Sequence, residues 1–356
     1  MKGRLSKIRY LFRVAFKQAD LFTYHPDKPR KSRFRIFLDL LKIHIIANEI
    51  SKVYFIRGGD LLNSKWCEFP YREARKLRDR VNPTLAKEQI EILMNKQKFQ
   101  DNCRQNNLRT PENYGIVENG AVKWAKEPML GSMIMIKDIA GEKGANVFKV
   151  EYIGNNRISD DGQQHDICSR FNSSKTYIVQ EVIEQHEIME ALNPSSVNTL
   201  RIISSLKNGG TIHVIMLKVG GIGNIYDNWH DKGIIAKVDT SSWAIDEQGY
   251  YKFAKYDKIS SGIVTVLPAN KVVLKDVVIP FRKEIERLVF RAHAMVPDIQ
   301  SVGWDVAIDA QGPILIEGNH NWGFLDLIQV FYGHEIISEI FDVPMNVLEE
   351  KAICFN

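Results

Sequence analysis

Two carboxylates and a carboxamide near the end of the chain, Asp305, Glu317 and Asn319, stand at a spacing that could hold a metal ion. They lie in the segment G-W-D-V-A-I-D-A-Q-G-P-I-L-I-E-G-N, Gly303 to Asn319, which has the pattern of two strands about a turn. Ala310-Gln311-Gly312 fits a three-residue hairpin loop, a type I turn closed by a left-handed residue, which glycine permits. Such a loop pairs Asp309 with Pro313 and, counting back, Asp305 with Glu317. Residues opposite one another in an antiparallel pair share a face, and so do Glu317 and Asn319, two apart. Val306, Ile308 and Ile316 then point the other way. Two adjacent carboxylates do not both stay ionised without a cation. Oxygen donors with no His or Cys among them suit magnesium, which keeps water and phosphate oxygens in its shell. The plainer alternative is a surface hairpin whose acidic groups face water.

Ile134-Met135-Ile136-Lys137-Asp138 puts a lysine at the end of a strand, ahead of a loop with Gly141 and Gly144. Such a loop can turn N–H groups toward a phosphate that the lysine also reaches. The spacing is not that of a P-loop, and a simple hairpin turn is the alternative. Tyr177 to Ile183 is an apolar strand ending in polar groups, suited to the edge of a flat ring or to an ordinary core. His186, His230 and His320 lie near these segments and read as structural or binding groups before catalytic ones.

These side chains need elements to carry them. Up to about residue 80 the spacing predicts helices, with Tyr71 to Arg80 a charged one, and Pro83-Thr84 starts another with Glu88 and Glu91 in its early turns. After about residue 110, short apolar runs alternate with turn signals. Strands are expected at Ser132–Asp138, Asn146–Ile153 and Thr176–Ile183, and a hairpin at Asn198–Leu206 and Thr211–Val219. Gly233–Asp239 and Tyr250–Ala254 would flank a loop holding Asp246-Glu247-Gln248-Gly249, and Phe281–Val296 has helical spacing. Hairpin-rich strands with a few helices indicate an α+β architecture.

The chain has 356 residues, 44% hydrophobic and 26% charged, enough for two or three lobes around a real core. A net charge of +5 is too mild for a nucleic-acid partner. It is unevenly placed: residues 1–35 carry eleven Lys and Arg against Asp20 and Asp27. A basic end of this kind fits an anionic membrane surface or polyanionic substrates, the alternative being a solvated helix face. Cys67, Cys103, Cys168 and Cys354 form no C-x-x-C pair, which argues against a zinc site or a disulfide framework and for a reducing compartment. Arg13 and Lys17 interrupt the early apolar stretch, so no signal peptide is expected, and no run reaches the length of a membrane span. The expected location is cytoplasmic, with contact at the inner membrane face through the basic end.

Taken in order, Asn95-Lys96 on a helix, Lys137 before a small glycine loop, the hinge Q-E-V-I, D-V-A-I-D and I-E-G-N resemble the ATP-grasp enzymes. S-V-N-T-L-R-I (Ser196–Ile202), I-Y-D-N-W-H-D-K-G-I (Ile225–Ile234) and the metal segment resemble more narrowly the sugar-transfer-associated ATP-grasp group, over about residues 85 to 335. The resemblance implies an ATP-grasp fold, two α+β lobes clasping ATP, after a mainly helical, basic region at 1–84. The small nucleotide lobe would span about 110–183, the metal and acceptor lobe 184–335 and a C-terminal helix 336–356.

It further implies that Asp305 and Glu317 hold one magnesium and Glu317 with Asn319 a second, bridging the β and γ phosphates of ATP. Lys96 and Lys137 would contact phosphates beside the Gly141 and Gly144 loop. Gln180, Glu181, Val182 and Ile183 would line the adenine edge, and Glu184 or Glu187 would take the ribose hydroxyls. Arg201, with Lys137, would serve the chemistry near the γ or acyl phosphate, and Asn198, Asp227, Asn228 and His230 the acceptor pocket. The family's reaction joins a carboxylate to an amine through an acyl phosphate. Its group is found with polysaccharide biosynthesis, capsule included, which implies small or sugar-linked carboxylate and amine substrates. A small-molecule kinase and a non-catalytic nucleotide-binding assembly protein are the other readings. Asp138 stands where proline is usual, Trp322-Gly323 replaces Pro-Gly, and Lys218 replaces arginine, departures that bear on the substrate.

Overall fold

The alternation that begins near residue 110 builds two antiparallel sheets of seven strands each. The computed structural model describes residues 2–48, 51, 53–82, 86–141, 146–171, 174–206, 209–229, 232–252 and 262–355. Gly144, His230 and Pro83-Thr84 lie outside the described residues.

The chain opens with α1 (Lys2–Arg13), a π-helical turn (Val14–Gln18), α2 (Ala19–Phe22) and α3 (Arg33–Ala47). Ser32 starts α3 by accepting from the Arg35 N–H, and Asn48 in the left-handed region ends it. Strand β1 (Trp66–Glu68) leads into α4 (Tyr71–Val81), α5 (Lys87–Met94) and α6 (Lys96–Gln105). Asn95 caps α6 through the N–H groups of Gln97 and Lys98.

The smaller lobe comprises β2 (Asn113–Glu118), β3 (Ala121–Trp124), β4 (Met133–Asp138), β5 (Val147–Gly154), β6 (Arg157–Asp160), β7 (Gln163–Asp166), α7 (Ile167–Arg170) and β8 (Tyr177–Glu181). Its strand order, β3-β2-β8-β4-β5-β6-β7, inserts the last strand between two earlier ones. Lys137 sits on β4, which pairs with the hinge strand β8.

The larger lobe follows with α8 (Glu187–Leu192), β9 (Thr199–Ser205), β10 (Thr211–Val219), β11 (Ile234–Val238), β12 (Ile245–Tyr251), β13 (Ile263–Val264), α9 (Arg282–His293), β14 (Ser301–Asp309) and β15 (Gly312–Asn319), in the order β13-β12-β11-β10-β9-β14-β15. Asp246 to Gly249 belong to β12 and not to the expected loop. The turn comes earlier, where the Asp239 carboxylate accepts from the N–H groups of Ser241 and Ser242. Leu200, Ile202, Leu217 and Trp304 pack on one face of this sheet with Ile285 and Val289 of α9. Ile203, Val214, Met216 and Ile235 pack on the other with residues of the N-terminal helices. The basic first segment thus shares a core with the sheet that carries Asp305.

The chain ends in α10 (Leu327–Tyr332), α11 (Ile336–Phe341), α12 (Met345–Glu349) and strand β16 (Ile353–Phe355). The single C-terminal helix expected over 336–356 is therefore two short helices and a strand. Asp342 in the left-handed region and Pro344 interrupt it. β16 pairs with β1, which brings Cys67 opposite Cys354 in a disulfide. This single bond stands against the expectation of no disulfide framework, and removes the cysteine argument for a reducing compartment. Cys103 and Cys168 are free thiols. Among the described residues, no helix is long and apolar enough to cross a membrane.

Thiol titration of the denatured chain should count two thiols before reduction and four after it. Cys354→Ser should lower the unfolding free energy by about 2–4 kcal/mol, measured by denaturant titration. Four thiols before reduction would remove the bond.

Candidate active site

The hairpin of Asp305 and Glu317 reaches its expected pairing by an unexpected route. Its turn has two residues, Ala310 and Gln311, with Asp309 opposite Gly312 and Ile308 opposite Pro313. Asp309 Oδ1 accepts the N–H groups of Gln311 (2.8 Å) and Gly312 (3.1 Å), and Arg109 Nη1 donates to it at 2.6 Å. A two-residue turn alone would put Asp305 opposite Ile316. A bulge between Val306 and Asp305 takes up one extra residue, Ile316, and restores Asp305 opposite Glu317.

On the other side β9 places Arg201 opposite Asp305. Arg201, Asp305 and Glu317 therefore stand in one row across three strands, on one face. Arg201 Nε donates to Asp305 Oδ1 at 2.5 Å and Nη2 to Oδ2 at 3.0 Å. Lys218, opposite Thr199 on β10, donates to Asp305 Oδ2 at 3.2 Å and to Asp227 Oδ1 at 3.3 Å. The Thr199 hydroxyl donates to the other oxygen of Asp227. Arg201, Lys218 and Asp305 are all buried, so their charges persist by pairing.

Burial raises the Asp305 carboxyl, but Arg201 and Lys218 outweigh it and hold the group well below the usual carboxylate range. Glu317 moves the other way, pushed up by burial and by the charge of Asp305. Across from it, burial, reinforced by Lys96, lowers the Lys137 ammonium to about 8 against the pull of Glu317 and Asp227.

The donor set fits magnesium. Asn319 donates its amide N–H to Glu317 Oε1 at 3.1 Å, which leaves the carboxamide oxygen for a cation. Glu317, which makes no ion pair among the described residues, is the group a divalent ion would relieve. Among the described residues no three His, Cys, Asp or Glu side chains cluster as a self-sufficient metal site. Phosphate and water oxygens would complete the shell.

The remaining predicted residues take varied places. Lys96 donates to the carbonyls of Gly141 (2.7 Å) and Ile139 (3.2 Å), which ties α6 to the loop after Lys137. Gln180 is buried in β8, and the Glu181 carboxylate accepts the Glu112 N–H at 2.9 Å. Val182 and Ile183 are partly buried in the link between the lobes, while Glu184 and Glu187 are exposed beyond it. Asn198 is buried, its amide donating to the carbonyls of Met189 (2.8 Å) and Asn193 (2.9 Å) and its oxygen accepting from Ser196 and Gly220. It braces the loops around the row. Asn228 is partly buried next to Asp227.

Sequence reasoning missed the residues that hold the row in place. Arg78 of α4 donates through Nη1 to the carbonyls of Asn321 and Trp322, both at 2.8 Å. Asn82 donates to the carbonyls of Ser301 and His320, both at 2.6 Å, and accepts the Ser301 N–H at 3.0 Å. Trp322 is buried and donates its indole N–H to the Ser301 hydroxyl at 2.8 Å. The glycines of the hairpin make room for tryptophans: a Cβ on Gly303 would lie 2.6 Å from Trp322 Cβ, and one on Gly318 2.6 Å from Trp304 Cζ3. Thr199 stood only inside the Ser196–Ile202 motif, with no role of its own, and Lys218 showed only as a departure.

Two antiparallel lobes joined by a short hinge, one with a strand lysine and the other with a carboxylate hairpin, define an ATP-grasp fold. The chain belongs to the sugar-transfer-associated ATP-grasp family, whose sequence profile matches residues 72–343. Similar solved structures include an L-amino acid ligase from Bacillus licheniformis, at 14% identity and a TM-score of 0.38, covering 70% of this chain and 45% of that one. A biotin carboxylase complex from Campylobacter jejuni matches at 13% identity and a TM-score of 0.42, over 72% of this chain and 47% of that one. A D-alanine–D-alanine ligase from Bacillus anthracis matches at 12% identity and a TM-score of 0.38, over 73% and 69%. These are likenesses of fold alone, and this chain spans about half the length of the first two proteins. No curated protein matches the sequence significantly.

Asn82→Ala strands buried polar groups at both ends of the hairpin, so it should cost about 2 kcal/mol of stability in denaturant titration. No measurable cost would mean the hairpin ends are held by other contacts.

Proposed function

We propose that the protein is an ATP- and magnesium-dependent carboxylate–amine ligase acting on a sugar acid or an amino acid in the assembly of a polysaccharide. The observation that carries this reading is the row of Arg201, Asp305 and Glu317, its first two members buried, extended by Lys218 and Asp227 and faced by Lys137. Membership of the family supports it.

In this reading the substrate carboxylate takes the γ-phosphoryl group of ATP, giving an acyl phosphate and ADP. The amine then attacks the acyl carbon and phosphate leaves. Both steps call for charge neutralisation and alignment more than for a nucleophilic side chain. Lys137 brings a positive charge from the smaller lobe, and Lys96 holds the adjoining loop by its carbonyls. Arg201 and Lys218 bring two more cations from the sheet, held in place by Asp305 and Asp227. Magnesium held by Asp305, Glu317 and Asn319 would supply the remaining neutralisation of phosphate oxygens. Asp227, fixed by Thr199 and Lys218, is in this reading the carboxylate that an amine acceptor would meet.

Purified protein given ATP, magnesium, amino acids and either uronic acids or their nucleotide-linked forms should release ADP and phosphate with an acceptor pair, and mass spectrometry should find the amide. Glu317→Gln should lower turnover by about 100-fold or more with the unfolding midpoint unchanged. This variant is cleaner than one at Asp305, whose loss leaves Arg201 and Lys218 buried without their shared carboxylate. Wild-type turnover in Glu317→Gln would overturn the metal assignment, and a stable phosphorylated product without amide would identify a kinase.

A further inference from the structure

Helix α3 is apolar on two opposite faces. Ile36, Leu40 and Ile43 point inward and are buried. Phe34, Leu38, Leu41 and Ile45, spaced four, three and four apart, form a stripe on the other side. Three of them are open to solvent: Phe34 is 60% exposed, Leu38 41% and Ile45 71%. A helix apolar all round normally has both faces covered. Leu41 packs partly against the core, whereas among the described residues nothing buries Phe34, Leu38 or Ile45.

The stripe continues onto α1 across an aromatic seam. Phe12 stacks on Phe16 with ring centres 4.4 Å apart and meets the edge of Phe37 at 5.9 Å. Phe12 is 49% exposed, and Ile8, one turn earlier, is 38% exposed. The surroundings are of one sign. Arg35 and Lys42 flank the stripe on α3, and Lys7, Arg9 and Arg13 are exposed on α1. The acidic groups nearby are already engaged: Asp20 pairs with Arg30 and Arg33, and Asp39 with Lys31 at 2.8 Å and, at the 4.0 Å limit, with the exposed Arg35.

We infer that α1 and α3 dock this face on an anionic lipid surface, their axes in the plane of the membrane interface. Apolar side chains at the headgroup boundary, ringed by Lys and Arg that meet anionic headgroups, are the composition of an interfacial helix. A second copy of this chain fits less well, because a two-fold contact would set Arg35 and Lys42 against the same cations of the partner. The inference goes beyond the proposed ligase activity and does not depend on it. A lipid-anchored acceptor would be brought toward an enzyme held in this way.

The experiment is flotation of the full chain with phosphatidylcholine vesicles, with and without phosphatidylglycerol. Binding should require phosphatidylglycerol and weaken with salt. Arg35→Gln with Lys42→Gln should weaken it roughly tenfold. Leu38→Glu with Ile45→Glu should weaken it roughly tenfold or more with an unchanged unfolding midpoint, since both side chains point outward. Absence of binding to anionic vesicles, or binding unaffected by the Leu38→Glu and Ile45→Glu pair, would overturn the inference. So would a concentration-dependent dimer that this pair dissociates, because a second copy would then cover the face.

Discussion

Asp305 carries a full charge inside the protein, and the larger lobe is arranged around that fact. A carboxylate removed from water must be met by cations at hydrogen-bonding distance, or it takes up a proton. Arg201 meets both of its oxygens from the neighbouring strand, and Lys218 reaches one of them from the strand beyond. The contacts hold only in one register, in which Arg201, Asp305 and Glu317 are level across β9, β14 and β15. A slip of one residue would turn all three to the opposite face, among Leu200, Ile202 and Trp304. Fold and site are thus fixed by the same pairing. The row also divides labour: Asp305 is compensated from within the chain, while Glu317 is less fully compensated.

The first eighty residues are bound into this scheme. The face of the sheet that bears the charged row becomes apolar along its length, at Ile203, Val214, Met216 and Ile235. The N-terminal and C-terminal helices cover that part. Arg78 and Asn82 then reach from the helical region to the main chain at Ser301 and at His320 to Trp322. The segment that completes the core therefore also holds both ends of the hairpin that carries Asp305 and Glu317. Its outer surface, by contrast, keeps the apolar side chains of α3 in contact with solvent.

Much of the site was legible because its chemistry sits in short contiguous motifs. Asp305, Glu317 and Asn319 could be placed on one face by counting, and Lys137 by its strand. The count reached the right pairing although the turn is a residue shorter, because the bulge at Ile316 cancels the difference. Such compensation leaves the motif unchanged and is invisible in it. The hairpins β2–β3 and β6–β7 turn at Asn119-Gly120 and Asp161-Gly162, all four left-handed, the two-residue turns such pairs favour. Asp246 to Gly249 misled, since polar residues on a strand resemble a loop when only one sequence is in view. Arg78, Asn82 and Thr199 act through contacts as much as 244 residues apart in sequence, which no local spacing reports. The Cys67–Cys354 bond, across 287 residues, belongs to the same class.

That bond also changes the molecule's topology. It closes the backbone from Cys67 to Cys354 into a covalent ring, and every residue of the row, the hinge and the lysine strand lies within that ring. Cutting an exposed loop inside the ring opens it but releases no piece. The two lobes would stay tethered, with α4 still linked to the strand that closes the fold. Reduction restores an ordinary linear chain in which the same cut would leave two fragments with no covalent link between them. The durability of the two-lobed arrangement against proteolysis is thereby coupled to the redox state of a pair of strands remote in sequence from most of the chemistry.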